Sequence, residues 1–377
     1  MFTEQEVLAA FQDCYKSKRG TEAAQRFIFG GYLQKILALT NAINNHTYRV
    51  SPSTVFIIQD PKIREVFAAD FVDRIVHHLV VRELMPLFMG YFVRDTYSCL
   101  PERGTLAAVM AAEEYINRSV QVGKDWYVMK MDVQSFFMSI RKSLLVERLE
   151  AFIRERYKDQ RKLEDLIWLV KTITLHDPTV GCIRKGDLRL IDELPKEKSL
   201  FFLPPDCGLP IGNYSSQVFA NFYMTPLDYF ILFYLGIPMY CRYVDDFVMF
   251  GPKDLLLKAA TEIYSFAEEN LGLTISKDKF YLQPARHGVK FIGSMVMPGR
   301  VYCGNRVRGK LEEVLLKNIP DEDNIDYLVS AVNSYLGLMG HYSSFNIRKE
   351  LLTDLLPSRW LDWISPPVYP YTKILRF

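Results

Sequence analysis

Long apolar runs are missing from this chain. No segment reaches the roughly 18 residues a membrane-spanning helix needs, which argues against a membrane role. Paired cysteines are missing too. Cys14, Cys99, Cys182, Cys207, Cys241 and Cys303 form no C-x-x-C pair, so zinc ribbons and disulfide frameworks are not expected, and reduced thiols in a cytoplasm fit best. The opening Met1-Phe2-Thr3-Glu4-Gln5-Glu6 lacks a basic-then-apolar leader. There is no internal repeat and no low-complexity tract, and net charge is only +2. What is present is apolar mass: 377 residues, 49% hydrophobic, enough for a sizeable core in more than one subdomain.

The most informative segment is Tyr243-Val244-Asp245-Asp246, set between the apolar runs Ile237–Cys241 and Phe247–Phe250. This pattern predicts a strand, a tight turn and a second strand, with two carboxylates at the tip. Aspartate favours turns, so an isolated pair reads as a solvated turn. Adjacent carboxylates between buried strands point instead to divalent metal. Two Mg²⁺ ions about 4 Å apart can stabilise the attacking and leaving oxygens of a phosphoryl transfer, and they need shared carboxylates.

A further carboxylate is available at Asp132. It ends the strand-length run Tyr127–Met131 and precedes Val133-Gln134-Ser135-Phe136-Phe137. Asp132 could simply cap a helix. Taken with Asp245 and Asp246 it makes a three-carboxylate constellation, to which a nearby backbone carbonyl can add a ligand.

Asp132 with Phe136-Phe137 resembles the first palm motif of reverse transcriptases, the segment from Gly208 to Tyr223 the second, and Tyr243–Asp246 the third. The I-G-x-x-x-S-Q form at Ile211-Gly212 and Ser216-Gln217, with Leu194-Pro195 and Lys198-Ser199-Leu200-Phe201, is similar to the enzymes of diversity-generating retroelements. The resemblance implies an RNA-directed DNA polymerase that copies a template RNA into cDNA with errors opposite adenine, for diversification of a target gene. It also implies two Mg²⁺ ions, with Mn²⁺ as a substitute, held by Asp132, the Val133 carbonyl, Asp245 and Asp246.

Residue by residue, the resemblance assigns Lys62, Arg64, Phe137, Ile211, Gly212, Gln217 and Lys279 to nucleotide binding, with Lys277 the alternative to Lys279. Phe137 would be the ring that clashes with a ribose 2′-hydroxyl, although any Phe in an apolar run is often core. Phe291-Ile292-Gly293 resembles the primer grip, where glycine lets backbone approach a strand closely. Arg74, beside Asp73, reads as structural or template-facing. Where the usual enzymes carry Gln, Ile211 offers only apolar contact, and a site without hydrogen bonds to its substrate discriminates less sharply. The alternative for Ile211 is plain core packing.

The fold expected is α+β: a right-hand polymerase fold with fingers, an antiparallel palm sheet backed by helices, and a short helical thumb. The layout is a helical extension over 1–53, fingers over 54–124, and a palm over 125–300 with a loop-rich finger insert at about 143–207. Thumb and C-terminal segment follow over 301–377. Helices are expected over 4–15, 33–43, 71–84 (stopping before Pro86), 106–118, 143–175, 214–235 and 253–270. A hairpin involving Leu188–Ile191 and an extended segment over 360–377 are also expected. No nuclease or maturase-like extension is apparent, so no RNase H activity is expected.

The implied partners are template RNA, the RNA–DNA duplex and dNTPs, in a cytoplasm, bacterial or phage-encoded. The low net charge points to a helper, and the resemblance supplies a small, basic, pentameric helical-bundle accessory protein. Basic residues do gather at Arg300, Arg306, Arg308, Lys310 and Arg348-Lys349, where a thumb would track nucleic acid. Other readings are a retron or phage-defence enzyme without hypermutation, template-independent synthesis, and a non-catalytic nucleic-acid-binding relative.

Overall fold

In the computed structural model, which describes residues 1–59, 62–187 and 189–377, ten strands follow in chain order. They are β1 (Thr54–Ile58), β2 (Arg64–Ala68), β3 (Trp126–Asp132), β4 (Ile183–Arg184), β5 (Met239–Tyr243), β6 (Asp246–Pro252), β7 (Tyr281–Pro284), β8 (Val289–Phe291), β9 (Ser294–Met297) and β10 (Arg300–Tyr302). Helices supply most of the rest, so the class is α+β with mainly antiparallel pairing. Among the described residues no helix is long and apolar enough to cross a membrane. The chain divides into two compact units, Met1–Leu100 with Asp132–Leu235 and Ala260–Lys277, and Pro101–Met131 with Gly236–Ala259 and Asp278–Phe377.

The first unit is organised on the helix Phe71–Tyr91, capped by Asp70, whose carboxylate accepts from the Val72 N–H at 2.9 Å. Ile75, Val76, Leu79, Val80 and Leu84 are wholly or almost wholly buried. The helix does not stop before Pro86 as the sequence suggests; it runs through to Tyr91. Beyond the proline, Phe88 and Phe92 stack at 5.2 Å, and Phe88 also packs on Phe152 and Phe222. Burying two such rings stabilises by roughly 1.5–3 kcal/mol each, enough to offset the ~3 kcal/mol an internal proline costs.

The unit's sheet has the order β2-β1-β4, with β1 antiparallel to β2 and parallel to β4. The expected hairpin at 188–191 is not what forms. Arg189–Asp192 is a single helical turn, and Leu188, like Asp60 and Pro61 between β1 and β2, lies outside the described residues. The stretch expected to be helical over 143–175 forms two helices, Lys142–Arg156 and Leu163–Leu175. The long helix expected to Leu235 is α-helical only over Tyr214–Tyr229 and widens to a π-helical turn at Phe230–Tyr234.

The second unit holds a four-stranded sheet of order β5-β6-β3-β7 and a three-stranded meander β10-β9-β8. Val128, Met129, Tyr240, Phe247, Val248 and Met249 are wholly buried, and helix Thr105–Val122 backs this sheet, its Ala108 carbonyl meeting the Cys241 thiol. Helices Asn305–Lys317, Ile325–Gly340 and Phe345–Thr353 close a second core around Trp360, whose indole N–H donates to the Leu315 carbonyl at 2.9 Å. The C-terminal segment packs on these helices. Asn333 exchanges two hydrogen bonds with the Ile374 backbone, and Arg348 donates to the Pro370 and Tyr371 carbonyls.

Asp73 anchors the first helix from inside. Its carboxylate, fully buried, accepts from the Tyr48 hydroxyl at 2.6 Å and the Ser51 N–H at 3.0 Å. Burial outweighs these donors and pushes its carboxyl up to about 6. A carboxyl raised in the fold stabilises most when protonated, so that contribution is whole below the ordinary carboxylate range and is lost as pH climbs through about 6. Denaturation midpoints measured from pH 4 to pH 7 should therefore fall for the native chain relative to Asp73→Asn. Parallel profiles would remove Asp73 from this role.

Candidate active site

The β5–β6 hairpin is the local device that presents two carboxylates. Tyr243 pairs with Asp246, which leaves Val244 and Asp245 as a two-residue turn. Val244 has φ of +59° and Asp245 is not left-handed, the sign pattern of a type II′ turn. Glycine normally takes that first position; a β-branched residue there carries strain of about 1–3 kcal/mol. Arg242 supports the turn from below. It is completely buried in β5 and donates through Nη1 to the Val244 carbonyl at 2.9 Å.

Asp246 opens β6 and its Oδ2 lies 2.8 Å from the ammonium of Lys130, which stands in the adjacent β3. The same ammonium donates to the Lys290 carbonyl in β8 at 3.0 Å. Lys130 and Arg242 were not singled out from the sequence. The available signal was a cation inside an otherwise apolar strand close to a predicted carboxylate.

Two residues beyond Lys130, β3 ends at Asp132, which is 8% exposed. Its carbonyl accepts from the Ser276 N–H at 2.8 Å, and Gln134 donates to the Thr274 carbonyl at 2.8 Å. Val133 bridges Ile275 between those two bonds. In an antiparallel pair of this kind the enclosed residue turns its own carbonyl to the opposite side, so the Val133 oxygen faces away from Ile275. The next aromatic pair divides by burial: Phe136 is core, while Phe137 is half-buried, with the rings 5.6 Å apart.

The second motif is pinned by backbone contacts. Phe67 in β2 donates its N–H to the Ile211 carbonyl at 2.9 Å, and a Cβ on Gly212, whose φ is +124°, would lie 2.7 Å from the Phe67 oxygen. Ile211 is half-buried against the cluster of Val55, Phe67, Met138 and Leu200. Glu65, buried, accepts from the Ser199 hydroxyl at 2.7 Å and the Leu200 N–H at 2.9 Å, tying β2 to the Lys198–Phe201 segment. Ser215 bonds His77 at 2.7 Å, and burial pushes that imidazole down to about 3, so it stays neutral at ordinary pH. Gln217 accepts from the Cys99 thiol at 2.9 Å.

The remaining candidates lie at the surface or at a tip. Lys62 and Arg64 are exposed on the approach to and first residue of β2, and Lys279 is exposed in the turn before β7. Arg74 donates through Nε to the Ala69 carbonyl at 2.9 Å. In the β8–β9 hairpin Phe291 pairs with Ser294, so Ile292 and Gly293 form the turn, with φ of +47° and +77°. Phe291 itself is wholly buried, which leaves Ile292 and Gly293 as the residues this hairpin can offer to a ligand.

Among the described residues no three His, Cys, Asp or Glu side chains form a ready metal-holding group. Asp246 is engaged by Lys130 instead. The donor types nonetheless fit a hard divalent cation: Asp132, Asp245 and Asp246 offer only carboxylate oxygen, with backbone carbonyl available at Val133, and neither sulfur nor imidazole competes.

Residues 59–296 match the family model described as reverse transcriptase (RNA-dependent DNA polymerase). Protein YkfC of Escherichia coli (strain K12) is 22% identical, with 71% of this chain and 70% of that protein covered. Among solved structures, apo telomerase from Candida tropicalis is similar at a TM-score of 0.50 and 14% identity, over 81% of this chain and 56% of that one. Telomerase from Candida albicans, solved with a fragment of telomeric RNA, is similar at a TM-score of 0.45 and 12% identity, over 88% of this chain and 61% of that one. The chain thus spans about three fifths of the telomerase chains it matches. The Candida tropicalis likeness establishes the polymerase fold of the telomerase reverse transcriptase as the fold of this chain.

Two glycines separate close packing from turn geometry. Gly212→Ala combines a positive φ with a clash against backbone and is expected to cost about 2–4 kcal/mol. Gly293→Ala meets open space, so only the left-handed cost of about 1–2 kcal/mol applies. Thermal midpoints should fall in that order, and equal losses would contradict the close approach at Phe67.

Proposed function

We propose that this chain, which belongs to the reverse transcriptase (RNA-dependent DNA polymerase) family, is an RNA-directed DNA polymerase acting on an RNA template and nucleotides, with Asp132, Asp245 and Asp246 as its catalytic centre. The observation that carries the reading is the register of the β5–β6 hairpin. Pairing Tyr243 with Asp246 sets Asp245 in the turn and Asp246 at the start of the strand that neighbours β3, which ends at Asp132.

Reverse transcriptase domains use divalent ions. Here Asp132, Asp245 and the Val133 carbonyl would hold two Mg²⁺, with Mn²⁺ a substitute and Asp246 assisting; when bound, they supply positive charge to the attacking and leaving oxygens. Lys62 and Arg64, both exposed, would grip the triphosphate through charge-assisted hydrogen bonds. The accessible ring of Phe137 would exclude a 2′-hydroxyl, with Ile211, Gly212 and Gln217 shaping the nucleotide's surroundings. The primer 3′-hydroxyl attacks the α-phosphate of a dNTP, Lys279 would protonate the departing pyrophosphate, and the Phe291–Gly293 hairpin would carry the primer strand.

The finer reading is a diversity-generating retroelement enzyme, error-prone at template adenines. What supports it is the residue type at Ile211: the side chain is only half-buried against Val55, Phe67, Met138 and Leu200, and it can offer a nucleotide apolar contact but no hydrogen bond. An accessory basic protein fits the same reading, since the thumb's own cations are largely engaged. Arg308 lies 2.6 Å from Glu312, Lys310 lies 3.1 Å from Glu313, and Arg348 is buried.

Primer extension on a defined RNA template, with the products sequenced, tests these steps. Asp245→Ala should abolish synthesis, a loss on the order of 10³-fold or more for removal of metal-held transition-state charge. Errors should concentrate opposite template adenines and decline in Ile211→Gln. Uniformly faithful cDNA would leave a polymerase of the retron or phage-defence kind, and full activity in Asp245→Ala would overturn the assignment of the centre.

A further inference from the structure

We propose that Lys130 is a positioning residue that ties the Asp246 carboxylate to the backbone of the primer-grip strand, so that metal ligand and primer support share one frame. The inference rests on reading Asp246 as a metal ligand. Its geometry is direct: Nζ lies 2.8 Å from Asp246 Oδ2 and 3.0 Å from the Lys290 carbonyl. An ammonium carries three donors and no acceptor, so one group can serve both partners at once.

The strand gives lysine no other reason to be there. Its neighbours Val128, Met129 and Met131 are wholly buried, and both the Lys130 and Asp246 side chains are only 20% exposed. A cation in such surroundings is destabilising unless a partner offsets its lost hydration. Lys290 takes part through its carbonyl, one residue before Phe291 and two before the Ile292–Gly293 turn. Through Lys130 the catalytic hairpin and the grip hairpin are therefore one hydrogen bond apart on either side of a single ammonium.

The arrangement has a consequence that packing alone would not produce. With Lys130 already beside Asp246, a divalent ion approaching this carboxylate meets a like charge. Removing the ammonium should raise metal affinity in the absence of nucleic acid while loosening the primer support.

The full-length chain would be compared with Lys130→Met, which keeps the stem, and Lys130→Arg, which keeps the charge. Mn²⁺ binding to the free protein, followed by electron paramagnetic resonance, should tighten about three- to tenfold in Lys130→Met. The KM for primer–template should rise by a comparable factor with a smaller change in kcat, and Lys130→Arg should restore both. Unchanged or weaker Mn²⁺ binding in Lys130→Met, or an unchanged KM, would overturn the proposal. If that variant does not fold, Lys130→Gln carries the same test. Asp246→Ala tests the underlying reading separately: loss of Mn²⁺ binding there upholds Asp246 as a metal ligand, and retention removes both.

Discussion

Two carboxylates placed side by side on a tight turn repel, and two largely buried cations of the second unit hold the hairpin that carries them. Arg242, buried whole in β5, holds the Val244 carbonyl at 2.9 Å and so fixes the backbone beneath Asp245. Lys130 neutralises Asp246 from the neighbouring strand. Both cations are costly to bury, and each is tolerated because it answers a carbonyl or a carboxylate that the hairpin would otherwise leave exposed to low-dielectric surroundings. The sheet order β5-β6-β3-β7 makes this possible, since it sets β3 beside the strand that begins with Asp246.

The same unit stores backbone strain at two of its hairpin tips, β5–β6 and β8–β9. Val244 and Ile292 are β-branched and left-handed, a combination worth about 1–3 kcal/mol each against the fold. Such conformations persist where packing over-determines them. Here the flanking strands are wholly buried at Phe247, Val248, Phe291 and Val296. A hairpin that cannot relax keeps its tip groups in one place, which is what the catalytic role proposed for Asp245 and Asp246 requires.

In the first unit, the second motif is held by many partners rather than one. Gly212 meets the Phe67 carbonyl, Ser215 meets neutral His77, Gln217 meets Cys99, and Asn221 donates to the Ser98 carbonyl at 2.6 Å. These ties join the stretch from Gly212 to Asn221 to β2, to the helix Phe71–Tyr91 and to the Ser98-Cys99 segment. The motif's residues therefore serve the fold as well as any nucleotide, and Ile211 shows the overlap most plainly: its carbonyl accepts from β2 while its side chain packs with Val55 and Leu200.

The strand at Thr54–Ile58, the hairpin around Asp245, the helix start at Phe71 and the order of the three motifs were all legible in the sequence. They depend on alternation, capping and turn chemistry, which act between near neighbours. Other features were not legible. The helix passes through Pro86 because Phe88 finds partners at Phe152 and Phe222, residues far along the chain, and Phe92 stacks on Phe88. Phe136 and Phe137 are alike in sequence, and only packing makes one core and the other accessible. Arg348 reads as a surface cation and is instead enclosed by the C-terminal segment. The sequence by itself determined which carboxylates exist and on what local turns they sit. The tertiary structure decided which cations oppose them, because burial and charge pairing are properties of segments brought together and not of any one of them.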